Sequence, residues 1–524
     1  MNNVNRIILV IIDDVRSDQF FSMIDQGLLP TFKKLMQNGL YSKNCVTDFP
    51  SITYPTQVST ITGTYTGDYK NELCHGVPTF NWMGRDYSPP LLRNYGSNKL
   101  EIYKMNQDLG MNCRTLPEMI GEGNKTSITQ YINRGTNYFF PENKRKLIFF
   151  YLVINYWKNL KRLIEYANSI VINKLISNFK TPKEFFDTKE PPICSLLWFM
   201  SSDILMHRYG SRSKIYRLNL MHIDKVIGKM IHELGRLGYL DDTAIAITSD
   251  HGNYDAKGFG DLQNTLKNLG LDQYHKNHEG NLNIGEFGGV GFFYLKGSLY
   301  RENKSQWGYP ALDELKIFGP KQTNLTNELF KIIGSKLLYY RDNENSTHKG
   351  QIFLKKKIMG ENRYLEGRLE YRGSGKDMIT RYIFENGQKD VFGYLNDNRA
   401  SKIVDGKFHK IDEWLEHTYH LDYPLYPDLL VRHFKNPRSA DLILSTQGDI
   451  VYNIAHGKEK KKTLYKHDIG TRESAIVPLL ISGSKDIPRK EIEFCKITDI
   501  VPTLLGLLGQ KSHESVIGTR LINK

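Results

Sequence analysis

At 524 residues and 60.6 kDa, the chain is long enough for about three ordinary domains or for one large enzyme domain carrying insertions. Apolar residues make up 40%, aromatic residues 12% and charged residues 24%, a balance that excludes a disordered or low-complexity chain. Lysine and arginine outnumber aspartate and glutamate by 71 to 57, a formal charge of +14. Such a surface attracts phosphorylated metabolites, nucleic acid or acidic lipid, although a codon bias toward lysine and asparagine gives the same excess. Cys45, Cys74, Cys113, Cys194 and Cys495 form no CxxC pair, which speaks against a disulfide framework or a zinc knot and for the reducing cytoplasm.

In chain order, Ile7–Ile12 is a continuous apolar run, the pattern of a strand buried on both faces. It is too short for the core of an export signal and ends in Asp13-Asp14, so a cytoplasmic location is expected. A short helix is predicted over Pro30–Gln37, opened by proline and stopped by Asn38-Gly39. Residues 1–125 form the first part of a core. Residues 126–192 are rich in lysine, asparagine and aromatics, with helical spacing at Leu152, Tyr156, Leu160 and Leu163, and read as a helical insertion. The most membrane-like stretch, Leu147 to Trp157, falls well short of the roughly 20 residues that a span requires. It reads as a buried helix or an interfacial one.

Residues 193–299 are the second part of the core. A buried strand is predicted over Ile193–Met200. An amphipathic helix follows over Ser213–Leu237, with apolar positions at Ile215, Leu218, Ile223, Val226, Ile227, Met230, Ile231 and Leu234. Gly238 ends it and Thr243–Thr248 forms the next strand. Residues 300–437 are polar and rich in glycine and lysine, and are assigned to a second insertion or cap. Residues 438–524 complete the core with apolar runs at Ala440–Leu444 and Ile476–Ile481 and a last helix near Ile497–Leu508. Interrupted βα units of this kind predict an α/β fold, a central, mostly parallel sheet flanked by helices, with two insertions forming a cap.

Three strand ends carry the residues able to do chemistry. Asp13 follows Ile7–Ile12, Asp203 and His207 follow Ile193–Met200, and Asp250-His251-Gly252 follows Thr243–Thr248. Open α/β sheets bind ligands at the carboxyl ends of their strands, and mixed carboxylate and imidazole donors suit Zn²⁺, with Mn²⁺ or Fe as competitors. Each residue taken singly has an ordinary reading as a helix cap, a turn residue or a satisfied histidine. Repetition on three strands is what points to a metal nest. In Phe49-Pro50-Ser51-Ile52-Thr53-Tyr54-Pro55, Pro55 can open a helix and so place Thr53 at its N-terminal mouth. Backbone N–H groups and the helix dipole favour an anion there, and a divalent cation makes a threonine hydroxyl nucleophilic. Alone, Thr53 would read as an N-cap.

These segments resemble the alkaline phosphatase superfamily, in its branch of type I phosphodiesterases and nucleotide pyrophosphatases. That branch carries Asp-Gly-x-Arg after a strand, here Asp13-Asp14-Val15-Arg16 with Asp14 in the glycine's place. Its Phe-Pro-x-x-Thr-x-Pro segment matches Phe49 to Pro55, with Thr53 as nucleophile. Its Asp-x-x-Gly-His element corresponds to Asp203-Ile204-Leu205-Met206-His207, which lacks the glycine, and its Ser-Asp-His-Gly element is intact at Ser249 to Gly252. The late histidine is taken as His467, with His456 as competitor, and Thr498 to Leu505 resembles the family's closing helix. Met206 is expected to narrow the approach to His207. Thr56 and Gln57 stand where the branch often has an asparagine that holds phosphate oxygens, and Gln57 is a candidate replacement. His75-Gly76 resembles a loop near the site in relatives and reads equally well as a turn.

The resemblance implies two divalent metal ions. Asp203, His207 and His467 would hold one; Asp13, Asp250 and His251 would hold the other together with Thr53. It implies a phosphodiesterase or nucleotide pyrophosphatase that works through a phospho-threonine intermediate on a small-molecule, lipid or nucleotide phosphoester. A phosphomonoesterase or phosphoryl transferase on the same fold stays open. A sulfatase is disfavoured, because the Cys/Ser-x-Pro-x-Arg pattern is missing. The reading from another class is a non-catalytic basic protein that binds anions or nucleic acid. No zinc finger, RNP motif or basic heptad helix supports a stable nucleic-acid complex, whereas peripheral contact with an anionic membrane fits the charge.

Overall fold

Along Arg6–Ile12 the side chains divide by parity. Ile7, Leu9 and Ile11 join one apolar cluster and Ile8, Val10 and Ile12 join another, as a strand with both faces covered requires. The neighbouring strands divide in the same way. Ala244, Ala246, Leu196 and Trp198 fall on the first face; Ile245, Ile247, Leu197 and Phe199 fall on the second. The computed structural model describes residues 4–96, 101–143, 145, 160–274, 279–300, 306–361, 363–384, 390–453 and 463–523. Leu147 to Trp157 and His456 lie outside them. Among the described residues, no helix is long and apolar enough to cross a membrane.

The central sheet has nine strands among the described residues. Its order is Lys490–Glu491, Leu40–Val46, Ile476–Gly483, Thr243–Thr248, Arg6–Ile12, Cys194–Phe199, Lys125–Ile128 and Tyr138–Phe140, with Cys495–Lys496 also paired to Leu40–Val46. Pairing is parallel except at Ile476–Gly483, which runs antiparallel to both neighbours. The register places Ile12 beside Phe199 and Ile11 beside Thr248, so the residues after all three strands emerge at one edge. Helices Ser17–Asp25, Pro30–Gln37, Leu160–Lys180 and Lys214–Arg236 cover one face; Thr53–Thr62 and Ile500–Leu507 cover the other. The long helix begins where Ser213 accepts a hydrogen bond from the Tyr216 N–H. From inside that helix, Asp224 accepts from the Thr31 and Phe32 N–H groups (3.2 and 2.8 Å) and so satisfies the open end of Pro30–Gln37.

A second, antiparallel sheet of eight strands runs Leu282–Phe287, Val290–Leu295, Leu442–Ser445, Leu337–Arg341, Lys349–Lys357, Tyr364–Arg372, Ile379–Phe384 and His409–Lys410. Tyr339, Ile352, Leu354 and Leu369 from it share the cluster that holds Ile7, Leu9 and Phe49, so this sheet packs over the Thr53–Thr62 side of the core.

Two features depart from the segment boundaries read in the sequence. Lys125–Ile128 and Tyr138–Phe140 extend the central sheet within what reads as a helical insertion; strands of four and three residues are too short to show a period. The second sheet crosses the boundaries at 299/300 and 437/438. Val290–Leu295 and Leu442–Ser445, assigned to the core, pair with each other, and Leu442–Ser445 also pairs with Leu337–Arg341 from the segment assigned to a cap. The long hairpin Lys349–Lys357/Tyr364–Arg372 is half-exposed, and its lysines and arginines mask the alternation.

Leu9, 1% exposed between two parallel neighbours, is expected to cost about 2–5 kcal/mol when cut to alanine. Urea denaturation of the metal-free protein measures this, and a loss below 1 kcal/mol would contradict the two-faced burial of this strand.

Candidate active site

Each functional side chain is placed by a strand end or by the first turn of a helix. Asp13 directly follows Arg6–Ile12, and its N–H donates to the Phe199 carbonyl (2.9 Å). Asp203 and His207 sit one turn apart on helix Ser201–Tyr209, so both face the same way. Asp250 and His251 follow Thr243–Thr248 and are fully buried. Thr53 is the first residue of helix Thr53–Thr62. His467 is brought in by Tyr465–Lys466, which pairs antiparallel with Tyr254–Asp255 just past His251.

The structure brings these seven residues together. Oxygen and nitrogen atoms of Asp13, Asp250 and His251 lie within 4.8 Å of one another, as do those of Asp203, His251 and His467. Thr53 Oγ1 lies 3.1 Å from His251 Nε2. Asp13 Oδ1 and Asp250 Oδ1 lie 3.4 and 3.8 Å from the same nitrogen. Asp203 Oδ1 lies 3.1 Å from His207 Nε2 and 3.7 Å from His467 Nε2. The rings of His251 and His467 stack at 3.8 Å and 11°.

The hydrogen bonds behind the imidazoles decide what their inner atoms can do. His207 Nδ1 lies 2.8 Å from the Tyr465 carbonyl, His251 Nδ1 3.0 Å from the Gly252 carbonyl, and His467 Nδ1 3.0 Å from the Ser51 carbonyl. A carbonyl only accepts, so each Nδ1 carries a proton and donates it, and each ring turns its Nε2 toward the centre. Burial holds His251 down to about 4 and pushes His467 well below its ordinary value, with His251 and His207 adding to the latter. Both rings are therefore neutral near pH 7. Asp13 Oδ1 and Asp203 Oδ1 are buried and have no hydrogen-bond partner. Around His251 and His467, bare nitrogens thus face carboxylate oxygens of Asp13 and Asp203 at 3.4 and 3.7 Å, donor atoms converging as a bound cation requires.

Burial raises Asp250 to about 7. Asp13 is raised well above its ordinary value, by burial first and then by the charges of Asp250, Asp203 and Asp14. For Asp203 burial is outweighed by His207 and then His467, and its carboxyl is held well below the usual range.

Several supporting residues escape a motif reading. Trp198 Nε1 donates to Asp13 Oδ2 (3.0 Å) and Thr47 Oγ1 to the Asp250 carbonyl (2.6 Å). Ser51 ties the nucleophile segment to the last histidine: its Oγ donates to the His467 carbonyl and accepts from the Gly470 N–H (2.9 Å), while its own carbonyl takes the His467 Nδ1 proton. Asp14 shows why the family has glycine there. Its φ is +58°, a left-handed conformation that aspartate tolerates through local hydrogen bonds; its N–H donates to Asp250 Oδ1 and its Oδ1 accepts from Asn253.

Two expectations are corrected. Gln57 does not point its amide at the phosphate position: Nε2 donates to Asp250 Oδ2 (2.7 Å), because four residues after Thr53 on a buried helix the side chain lies beneath the Thr243–Thr248 strand end. Thr56 Oγ1 bonds back to the Ile52 and Thr53 carbonyls. Met206 does not narrow the approach to His207; it is fully buried in the apolar cluster under the sheet. At His75-Gly76, which the sequence leaves open between a site loop and a turn, His75 is buried against Ser59 (3.0 Å), and Gly76, at φ +69°, leaves no room for a Cβ beside the Tyr69 ring.

Comparison with known proteins agrees with this geometry. Murine ectonucleotide pyrophosphatase/phosphodiesterase 5, solved as an inactive threonine-to-alanine variant with AMP, matches with a TM-score of 0.54 at 14% identity, over 97% of this chain and 96% of that one. A second structure of the murine protein gives 0.53 and the human protein 0.51, at the same identity and coverage. At this identity the likeness establishes the fold, which is the expected alkaline phosphatase-like α/β architecture. No curated protein sequence matches the chain. Residues 7–307 match the family model for type I phosphodiesterase / nucleotide pyrophosphatase, which spans more than half of the sequence, and the chain therefore belongs to that family.

Proposed function

We propose that this phosphodiester hydrolase uses Thr53 as its nucleophile, with two divalent cations, one held by Asp203, His207 and His467 and the other by Asp13, Asp250 and His251. The observation that carries this reading is the ring of unprotonated inner nitrogens and partnerless carboxylate oxygens around Thr53 Oγ1. Mixed nitrogen and oxygen donors favour Zn²⁺, with Mn²⁺ or Fe as alternatives. When bound, such cations supply the positive charge that ionises a hydroxyl, activates water and neutralises phosphoryl oxygens.

The chain's own residues then do the following. Thr53, 8% exposed, presents Oγ1 at the N-terminal mouth of a ten-residue helix, where dipole and N–H groups favour the phosphoryl group. Its oxygen forms the new bond to phosphorus as the ester oxygen leaves, giving phospho-threonine, and water then takes the phosphoryl group and restores the hydroxyl. Ser51 keeps the nucleophile segment in register with His467. Arg16, the cation nearest these strand ends, is engaged by Asp18 and Glu473. Among the described residues no lysine or arginine pairs with any of the seven site residues, which supports a singly charged diester over a doubly charged monoester. A nucleotide-like diester is the favoured substrate class; AMP in the murine structure supports it. The cytoplasm is proposed as the compartment from the sequence alone, on five cysteines that form no CxxC pair.

The purified protein with Zn²⁺ or Mn²⁺ is expected to hydrolyse bis(p-nitrophenyl) phosphate faster than p-nitrophenyl phosphate. Thr53→Ala should lower the rate by about 10³-fold or more, and chelation should abolish it. Activity that survives both treatments would remove Thr53 and the cations from the mechanism.

A pH dependence follows from the site's ionisation. Below about 7 Asp250 keeps its proton in the metal-free protein, and a cation must displace it, whereas His251 is already neutral above about 4. Metal affinity should therefore rise as pH climbs from 5 to 7, by about tenfold per unit for each carboxylate proton released. Calorimetry at pH 6 in buffers of different ionisation enthalpy should detect that release, and Asp250→Asn should diminish it. An affinity independent of pH over this range would contradict the burial of a protonated carboxyl at the metal nest.

A further inference from the structure

A fourth strand end reaches the site from the segment read as a helical insertion. Lys125–Ile128 lies beside Cys194–Phe199 in the central sheet and ends at the same edge. Thr129 follows at φ +61°, and its hydroxyl reaches the Trp198 carbonyl (2.5 Å). The next residue, Gln130, is 1% exposed, with its carbonyl accepting from Ser127 Oγ (2.6 Å). Gln130 Nε2 donates to Gln57 Oε1 (2.9 Å), and Gln57, itself fully buried, donates from Nε2 to Asp250 Oδ2 (2.7 Å).

The polarity of this chain has one solution. The Ile132 backbone N–H can only donate, and it points at Gln130 Oε1 (3.0 Å). The other end of that amide is therefore the NH₂ group, which must donate to an oxygen of Gln57. That in turn sets the Gln57 NH₂ against Asp250. One backbone N–H thus fixes two side-chain amides and ends on a carboxylate oxygen. The other oxygen of Asp250, Oδ1, accepts from the Asp14 and His251 N–H groups (3.1 and 2.9 Å).

We propose that Gln130 and Gln57 form a buried amide relay that fixes the orientation of the Asp250 carboxylate, making both of them positioning residues for the metal centre. The proposal rests on the metal-centre reading above and adds residues that touch neither metal nor substrate. Outer partners of metal ligands set ligand orientation and basicity, and their loss costs about 10–100-fold in metal affinity. Gln57 acts directly on Asp250; Gln130 acts only through Gln57.

The test is metal affinity of the full chain, stripped by chelation and titrated with Zn²⁺ against a chromogenic chelator, alongside the melting temperature of the metal-free protein. Gln57→Leu removes the donor and is expected to weaken one of the two binding steps by about 10–100-fold. Gln130→Glu keeps the shape and in its ionised form, set by titrating above about pH 8, cannot donate, so the Gln57 amide must turn and set its oxygen against Asp250; a loss of the same size is expected there. The double variant should be no weaker than Gln57→Leu alone, because the second residue has no other route to the site. Wild-type affinity in both single variants, or losses that add in the double variant, would overturn the relay. Should Gln57→Leu fail to fold by circular dichroism, Gln130→Glu and the apolar Gln130→Met decide the question. Asp250→Asn separates the two levels. A wild-type protein that binds no metal refutes the metal centre itself, whereas metal binding that is lost in Asp250→Asn but untouched in the relay variants refutes the relay alone.

Discussion

Everything at this site depends on where three protons sit. Each of His207, His251 and His467 gives its Nδ1 proton to a backbone carbonyl, and so each turns its Nε2 toward the centre. Protonated on the inner nitrogen instead, the same rings would satisfy Asp13, Asp203 and Thr53 by hydrogen bonds and close the nest as an ordinary polar core. The fold enforces the outward protons with main-chain atoms, which cannot be titrated away. Two of those carbonyls belong to segments that carry other site residues: Gly252 adjoins His251, and Ser51 stands two residues before Thr53.

That dependence explains the order of the central sheet. A parallel register delivers Asp13, Asp203 and Asp250 to one edge from strands far apart in the chain. The antiparallel strand Ile476–Gly483 starts from that edge, so the chain entering it passes His467 through the site. The nucleophile comes from the opposite face, on a helix with all ten residues buried. Ionisable side chains sit between two covered faces, where burial is the largest of the causes that raise Asp13 and Asp250.

Much of this was legible in the residues because it is local. The apolar runs at Ile7–Ile12 and Thr243–Thr248, the Pro30–Gln37 helix and the long amphipathic helix each announce themselves within a few turns, and the site residues stand at their ends. What stayed hidden depends on contacts across the chain. Gln57 looked like a phosphate ligand by position, and only its packing under Asp250 shows otherwise. Gln130 lies 73 residues from its partner, beyond a strand too short to display a period. Met206 sits in a ligand motif, yet the helix turns it into the core. The second sheet was missed because its long hairpin is polar on its exposed side, so neither alternation nor a continuous apolar run marks it.

The second sheet has a consequence for how such a chain can diversify. Val290–Leu295 and Leu442–Ser445 are buried throughout, whereas the hairpin Lys349–Lys357/Tyr364–Arg372, paired on both sides within the same ladder, is half-exposed. The exposed side chains of that hairpin can exchange charge without breaking the pairings on either side of it. Surface charge is therefore free to drift on this sheet while the reacting centre stays constant.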